Sequence, residues 1–334
     1  GVSVSGDDPT AVRTLDRQIS YADGSEQRIL EILSAAADRS SGSDELAAAI
    51  TDWPSRYHLS PRRANLLRPL RLEAGLRILE IGAGTGVLSR FLGETGARVV
   101  ALEGQADRAR AAALRCVALS TVEVVCGSLE SFSDPEGFDL VCIVGVLEYA
   151  ASGAGGAGTH QDFLARAAAL LRPGGALLVA IENQIGLKYL LGYREDHLGL
   201  PWIGIEGYPG DHGIRTFPRR VLSRMLDAVG LPAQTWLYPF PDYKLPAVVL
   251  ADALYDLDEA PRLVDQLVRH PATDGAPDRS LLCDDRRAHK VLLEAGLGRE
   301  VANSFLVVAT AEGSAPAFLP DPGVLAWHLG ADRR

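Results

Sequence analysis

The feature that most restricts this chain is the run Ile78-Leu79-Glu80-Ile81-Gly82-Ala83-Gly84-Thr85-Gly86. It reads as an apolar strand carrying one acid, then a glycine turn that opens a helix. Glycines tolerate positive φ and let the backbone approach a ligand, and a helix start offers unpaired N–H groups. A dinucleotide turn of the GxGxxG/A type needs Gly or Ala at its sixth position. Val87 stands there, so the spacing excludes that reading. Glu103 ends the next strand, 21 residues after Gly82. An acid so placed accepts hydrogen bonds from ribose hydroxyls.

From Arg77 onward, short apolar runs alternate with helical patterns. Strands are expected at Arg77–Ile81, Arg98–Leu102, Val122–Val125, Asp139–Val144 and Ala176–Ile181. Helices are expected at Val87–Glu94, Gln105–Leu119 and Gln161–Leu171. Continuous apolar strands at this spacing imply a parallel sheet covered on both faces. Further along, Phe217–Val229 reads as a helix, and Ala233–Tyr238 and Ser304–Thr310 as strands. Before the sheet, Ser43-Asp44 can cap a short helix running to Ile50.

Composition narrows the function classes. The 334 residues carry a net charge of −10, against a nucleic-acid backbone as partner. Cys116, Cys126, Cys142 and Cys283 show no CxxC spacing and read as buried reduced thiols, with neither a zinc site nor disulfides. No run approaches the ~18 apolar residues of a membrane span, and no signal peptide is visible, so the expected location is the cytoplasm.

Three more segments follow the glycine turn in register: Gly127-Ser128-Leu129 after the third strand, Phe138-Asp139-Leu140-Val141 opening the fourth, and Leu171-Arg172-Pro173-Gly174-Gly175 before the fifth. With E-x-G-x-G-x-G, this set resembles the class I S-adenosylmethionine-dependent methyltransferases. The resemblance implies a Rossmann-like α/β fold with a seven-stranded, mostly parallel sheet. One strand is reversed, here Ser304–Thr310 between Ala233–Tyr238 and the fifth strand. It implies S-adenosylmethionine as cofactor, contacted by Tyr57, Glu80, Gly82, Gly84, Gly86, Glu103, Gly104, Arg108, Ser128, Leu129, Val144 and Val146. The family commonly carries an acid where Ser128 stands.

Longer strings are similar to a narrower group, the glycosyltransferase-associated methyltransferases of bacterial polysaccharide biosynthesis. They include Gly145-Val146-Leu147-Glu148-Tyr149, Ile181-Glu182-Asn183-Gln184-Ile185-Gly186-Leu187-Lys188-Tyr189, Glu195-Asp196-His197 and Pro239-Phe240-Pro241-Asp242-Tyr243-Lys244-Leu245-Pro246. This resemblance implies a small-molecule or glycan acceptor, with glycosyltransferases as partners. The domain layout expected is a helical appendage at 1–60, serving as a lid or as a homodimer contact. A methyltransferase domain follows at 61–312, with insertions at 184–216 and 247–302, and a tail at 313–334.

In-line methyl transfer requires an aligned acceptor and, for a hydroxyl, a base near neutral pH or a metal. His197 and His212 are the natural bases, with Glu206 and Asp242 as carboxylates that orient a base or bind sugar hydroxyls. Glu148, Glu182, Asn183, Gln184, Lys188, Tyr189, Tyr208, Tyr243 and Lys244 are expected to meet the acceptor, since they follow the fourth and fifth strands or lie in the acceptor-side loops. No ligand spacing marks a metal, so none is expected. Three readings stay open: O-methylation of a saccharide hydroxyl, N- or C-methylation of a small metabolite or nucleotide sugar, and a non-catalytic cofactor-binding scaffold.

Overall fold

The computed structural model describes residues 12–15, 24–152, 158–210, 213–272 and 282–330. In chain order these form β1 (Arg13–Thr14), α1 (Glu26–Ala35), α2 (Asp44–Ala48), α3 (Trp53–Leu59), β2 (Arg77–Ile81), α4 (Val87–Glu94), β3 (Arg98–Glu103), α5 (Ala106–Cys116), β4 (Val122–Cys126) and β5 (Phe138–Val144). They continue with α6 (His160–Ala168), β6 (Leu171–Glu182), α7 (Leu187–Leu190), α8 (Arg219–Ala228), β7 (Ala233–Phe240) and β8 (Val248–Ala251). The last are α9 (Ala260–Leu267), α10 (Asp285–Glu294), α11 (Gly298–Val301), β9 (Ser304–Thr310) and β10 (Ala326–His328).

All described strands share one sheet, ordered β1-β4-β3-β2-β5-β6-β9-β7-β8-β10. The strands β4, β3, β2, β5 and β6 pair in parallel. Successive residues alternate between two cores: Leu79, Val141 and Leu177 pack on one face, and Ile78, Cys142 and Leu178 on the other. That two-sided burial is why the strands read as unbroken apolar runs.

The reversed strand lies where it was expected. β9 runs antiparallel to both β6 and β7, with Val179 opposite Val307 and Trp236 opposite Val307 on the other side. The strand count needs correcting, because ten strands are described instead of seven. β8 is a second reversed strand, antiparallel to β7, and lies in the segment expected as an insertion. β10, in the expected tail, pairs with β8. β1 adds in parallel beside β4. These additions were hidden because two to four residues of pairing leave no period to read. The strand β6 also starts early, at Leu171, and pairs with Phe138 across a register shift. Cys283 is exposed, whereas Cys116, Cys126 and Cys142 are buried thiols as expected. The Gly/Ala-rich loop at 153–158 lies almost wholly outside the described residues.

The N-terminal helices dock on the sheet's helical cover. Ile29 and Leu33 of α1 pack with Leu46, Leu59 and Ala111 of α5. α2 starts at the expected cap: the Ser43 hydroxyl accepts from Leu46 N at 3.1 Å and donates to the Asp38 carbonyl at 2.8 Å. Ser43→Ala is expected to lower stability by about 1 kcal/mol, read as an earlier urea midpoint at unchanged slope.

Candidate active site

The carboxyl ends of β2, β3 and β5 open onto one cavity of about 570 Å³. The glycine turn forms its floor. Gly82 N and Ala83 N donate to the Leu102 carbonyl at 2.8 and 3.0 Å, which folds the turn back over β3. Gly84 has φ +55°, and a side chain added there would meet nothing within 4 Å, so the turn stays open toward the cavity. Its N–H donates to Glu103 Oε2 at 2.7 Å, and Gln105 N donates to Oε1 at 2.9 Å. The ribose-type acid is therefore fixed by two backbone donors. Glu80 lies beneath the turn and accepts from the Ser89 hydroxyl. Burial pushes its carboxyl up to about 7.

Every residue expected at the cofactor lines this cavity except Gly86. Gly86, at φ +77°, faces away, and a side chain there would come within 2.7 Å of Ala112 Cα. Its role is to let α4 and α5 pack closely. The cavity also takes Trp53, Pro54, His58 and Arg63 from α3 and the turn after it. Sequence reading found only Tyr57 there, because this stretch precedes the strand–helix rhythm. Two ion pairs tie α1 to this region: Arg108 Nε, itself on the cavity, meets Glu26 of α1 at 3.0 Å, and Arg28 of α1 meets Asp52, the cap of α3, at 2.6 Å.

The opposite end of the cavity is lined by Glu148, Tyr149, Asp196, His197, Tyr243 and Lys244. Here the insertion 184–216 and the turn after β7 do meet. His197 Nδ1 lies 2.7 Å from Glu195 Oε1, and its Nε2 lies 3.3 Å from Glu148 Oε1 and 3.8 Å from Glu182 Oε2. Lys244 Nζ donates to Glu182 and to Asp196, and Lys188 Nζ donates to Asp196 at 2.8 Å. Burial works against a charge on His197, but Glu182, Glu148 and Glu195 outweigh it and hold the imidazole well above its ordinary value. Burial raises the Glu182 carboxyl in spite of Lys244. Burial also opposes the charge on Asp196, yet its two lysines hold it well below the usual carboxylate range.

Several residues expected at the acceptor do structural work instead. Asn183 donates to the Glu300 and Ala302 carbonyls, each at 2.7 Å, and Gln184 to the Gly204 carbonyl at 2.8 Å. Tyr208 pairs with Thr216 at 2.7 Å and lies 3.4 Å from Glu195. Tyr189 is buried, and Lys188 reaches only Asp196 among the described ion pairs. None of these lines the cavity, and Glu182 sits just behind its wall. Glu206 is exposed and away from it. Asp242 accepts from Lys244 N at 2.8 Å and so shapes the turn that carries Lys244. His212 lies outside the described residues. Position after a strand end does not reveal side-chain direction, so among the described acceptor-side expectations only Glu148, His197, Tyr243 and Lys244 line the cavity.

Residues 79–179 match the family model described as Methyltransferase domain. Curated relatives include the ubiquinone biosynthesis O-methyltransferase of Nitrobacter winogradskyi, 31% identical over 137 residues, covering 41% of this chain and 50% of that protein. The protein of the same name from Bradyrhizobium sp. is 29% identical over 137 residues, covering 41% and 51%. The chain thus spans about half the length of the curated relatives it matches. Among solved structures, phosphoethanolamine N-methyltransferase 2 of Haemonchus contortus in complex with S-adenosyl-L-methionine aligns with a TM-score of 0.44 at 17% identity, over 75% of this chain and 52% of that one. No described helix is long and apolar enough to cross a membrane. Matched over β2 to β6 and carrying the glycine turn and strand-end acid in one cavity, residues 79–179 form a class I methyltransferase domain whose cofactor is S-adenosylmethionine.

Proposed function

We propose that this chain is an O-methyltransferase acting in the cytoplasm on a hydroxyl of a saccharide or glycoconjugate. The carrying observation is one cavity that joins the Gly84–Glu103 cradle to the Glu148–His197 cluster. When bound, the cofactor supplies a sulfonium methyl group, so transfer forms a C–O bond and breaks the C–S bond, with the electron pair returning to sulfur. Glu103 accepts from the ribose hydroxyls, and Glu80 faces the end that carries the amino acid. The cluster of His197, Glu148 and Glu182 receives the hydroxyl proton. Water is excluded there, since Glu148 and Glu182 are 1% and 0% exposed.

The hydroxyl reading is supported by this proton-accepting cluster, which an amine acceptor would not need, and by relatives named as O-methyltransferases. The saccharide reading is supported by the strings that resemble the polysaccharide group and by Trp53, 47% exposed on the cavity lining, where a ring can stack. A saccharide acceptor would place glycosyltransferases among its partners. The curated relatives favour a second reading, a phenolic hydroxyl, as their names concern ubiquinone biosynthesis.

The test is methyl-labelled cofactor offered with a panel of nucleotide sugars, oligosaccharides and catechols, the products being read by mass spectrometry. Label on a saccharide oxygen is expected. Label only on a catechol would move the acceptor to the second reading, and label only on nitrogen or carbon would overturn O-methylation. Separately, Glu103→Ala is expected to weaken cofactor binding by about 1.5–3 kcal/mol in calorimetry, as lost charge-assisted hydrogen bonds do. Unchanged affinity would remove Glu103 from the ribose.

A further inference from the structure

The acceptor end holds more buried negative charge than its hydrogen bonds use. Glu148 Oε2 and Glu182 Oε2 are both buried, and neither has a hydrogen-bond partner. A buried carboxylate oxygen without a donor is costly. Both carboxylates flank His197 Nε2, and one ligand atom from each of the three residues lies within 4.8 Å of the others. Lysines do not resolve the imbalance. The connected set contains Glu148, Glu182, Glu195 and Asp196 against Lys188 and Lys244, which leaves two negative charges when the imidazole is neutral.

We propose that Glu148, Glu182 and His197 Nε2 bind one divalent transition-metal cation at the acceptor end of the cavity. Metal–ligand bonds of about 2.0–2.2 Å put neighbouring ligand atoms roughly 3.3–3.6 Å apart in a tetrahedral shell. The observed 3.3 and 3.8 Å from Nε2 need only small side-chain rotations to match. Glu195 supplies the outer partner: its 2.7 Å contact with Nδ1 keeps one ring proton there, so a cation has only to displace the proton on Nε2, which faces the two carboxylates. The imidazole nitrogen favours a transition metal over Mg²⁺, and a dication cancels the two surplus charges. Glu148 and His197 line the cavity, so the remaining coordination position opens toward the acceptor. The inference rests on the O-methyltransferase reading for its use: a hydroxyl bound there would lose its proton more readily, as metal-bound water does, to the oxygen of Glu148 that does not hold the cation.

Co²⁺ is the probe. Chelator-treated, dialysed protein is expected to take up one equivalent of Co²⁺ with a visible absorption band, and Glu195→Gln to weaken uptake by about 10–100-fold. His197→Asn should abolish saturable uptake while still binding S-adenosylhomocysteine, which shows that it is folded. Glu206→Gln, an exposed carboxylate, should bind as the native chain does. Absence of saturable uptake, or native uptake by His197→Asn, overturns the site. The two readings fail separately. Full methyl transfer to a hydroxyl in EDTA, with no uptake, removes the cation and keeps the O-methyltransferase. Uptake by a chain that methylates no hydroxyl overturns the reading but keeps the cation.

Discussion

His197→Asn is expected to lower turnover of the hydroxyl acceptor by about 10²–10⁴-fold, while affinity for S-adenosylmethionine stays unchanged. The argument is geometric. Nδ1 is fixed by Glu195 at 2.7 Å, so Nε2 has one direction to face, and that direction holds Glu148 and the cavity. Leu198 N and His197 N both donate to Glu195 Oε2, at 2.7 and 2.8 Å, so the carboxylate that aims the ring is itself held by backbone. Asparagine keeps hydrogen-bonding capacity but loses the second ring nitrogen. The loss should appear in kcat at saturating acceptor, because the group acts on the reacting oxygen and not on remote binding. Cofactor affinity is insulated, since Glu103 and Gly84 sit at the other end of the cavity. His212→Asn, in a segment outside the described residues, is expected to keep near-native turnover. Native turnover in His197→Asn, or a comparable loss in His212→Asn, would reassign the step.

How far this site was legible in the sequence depended on what kind of signal each residue carried. Glu80, Gly84 and Glu103 belong to a local unit whose spacing dictates geometry, and all three line the cavity. The reversed strand was legible because Ser304–Thr310 is a late apolar run and the family resemblance implies one reversed strand; all seven residues are buried. The acceptor end was different. Glu148, Glu182 and His197 are separated by many residues and meet only through the sheet order, so sequence could nominate them but not assemble them. Asn183 shows the converse. It stands at a strand end like Glu182, yet its amide turns to the Glu300 and Ala302 carbonyls. A side chain's direction at a strand end depends on distant partners, here Glu300 and Ala302, which no local pattern encodes. Trp53 and Arg63 were missed for a related reason: they reach the cavity from α3 and the turn after it, ahead of the first parallel strand.

The stability that Glu80 contributes without cofactor is expected to fall as pH rises from about 4.5 to 7, read as the difference between the native chain and Glu80→Gln, because His289, which burial lowers to about 4, tilts the whole profile the other way. Glu80 is buried beneath the glycine turn, and burial is the largest influence on its carboxyl, raising it from 4.5 to about 7. Ser89 and Arg63 favour the charged form but are outweighed by burial, which the neighbouring Glu103 reinforces. Between these two values the folded chain holds a proton that the unfolded chain has already lost. The Glu80 share is therefore greatest below the lower value and declines through the window, by an amount on the order of 3 kcal/mol at about 1.36 kcal/mol per unit. Neutral glutamine has no proton to lose, so the variant should match the native chain at low pH and exceed it at pH 8 in thermal melts. Cofactor affinity should move the other way. The amino-acid end of S-adenosylmethionine brings an ammonium group, and an ionised Glu80 beneath it is the better partner. Calorimetry should then show affinity rising with pH across the same window, with a proton released on binding, and both effects absent in Glu80→Gln. A flat affinity profile in the native chain would separate Glu80 from the cofactor and leave it as a buried acid bonded to Ser89.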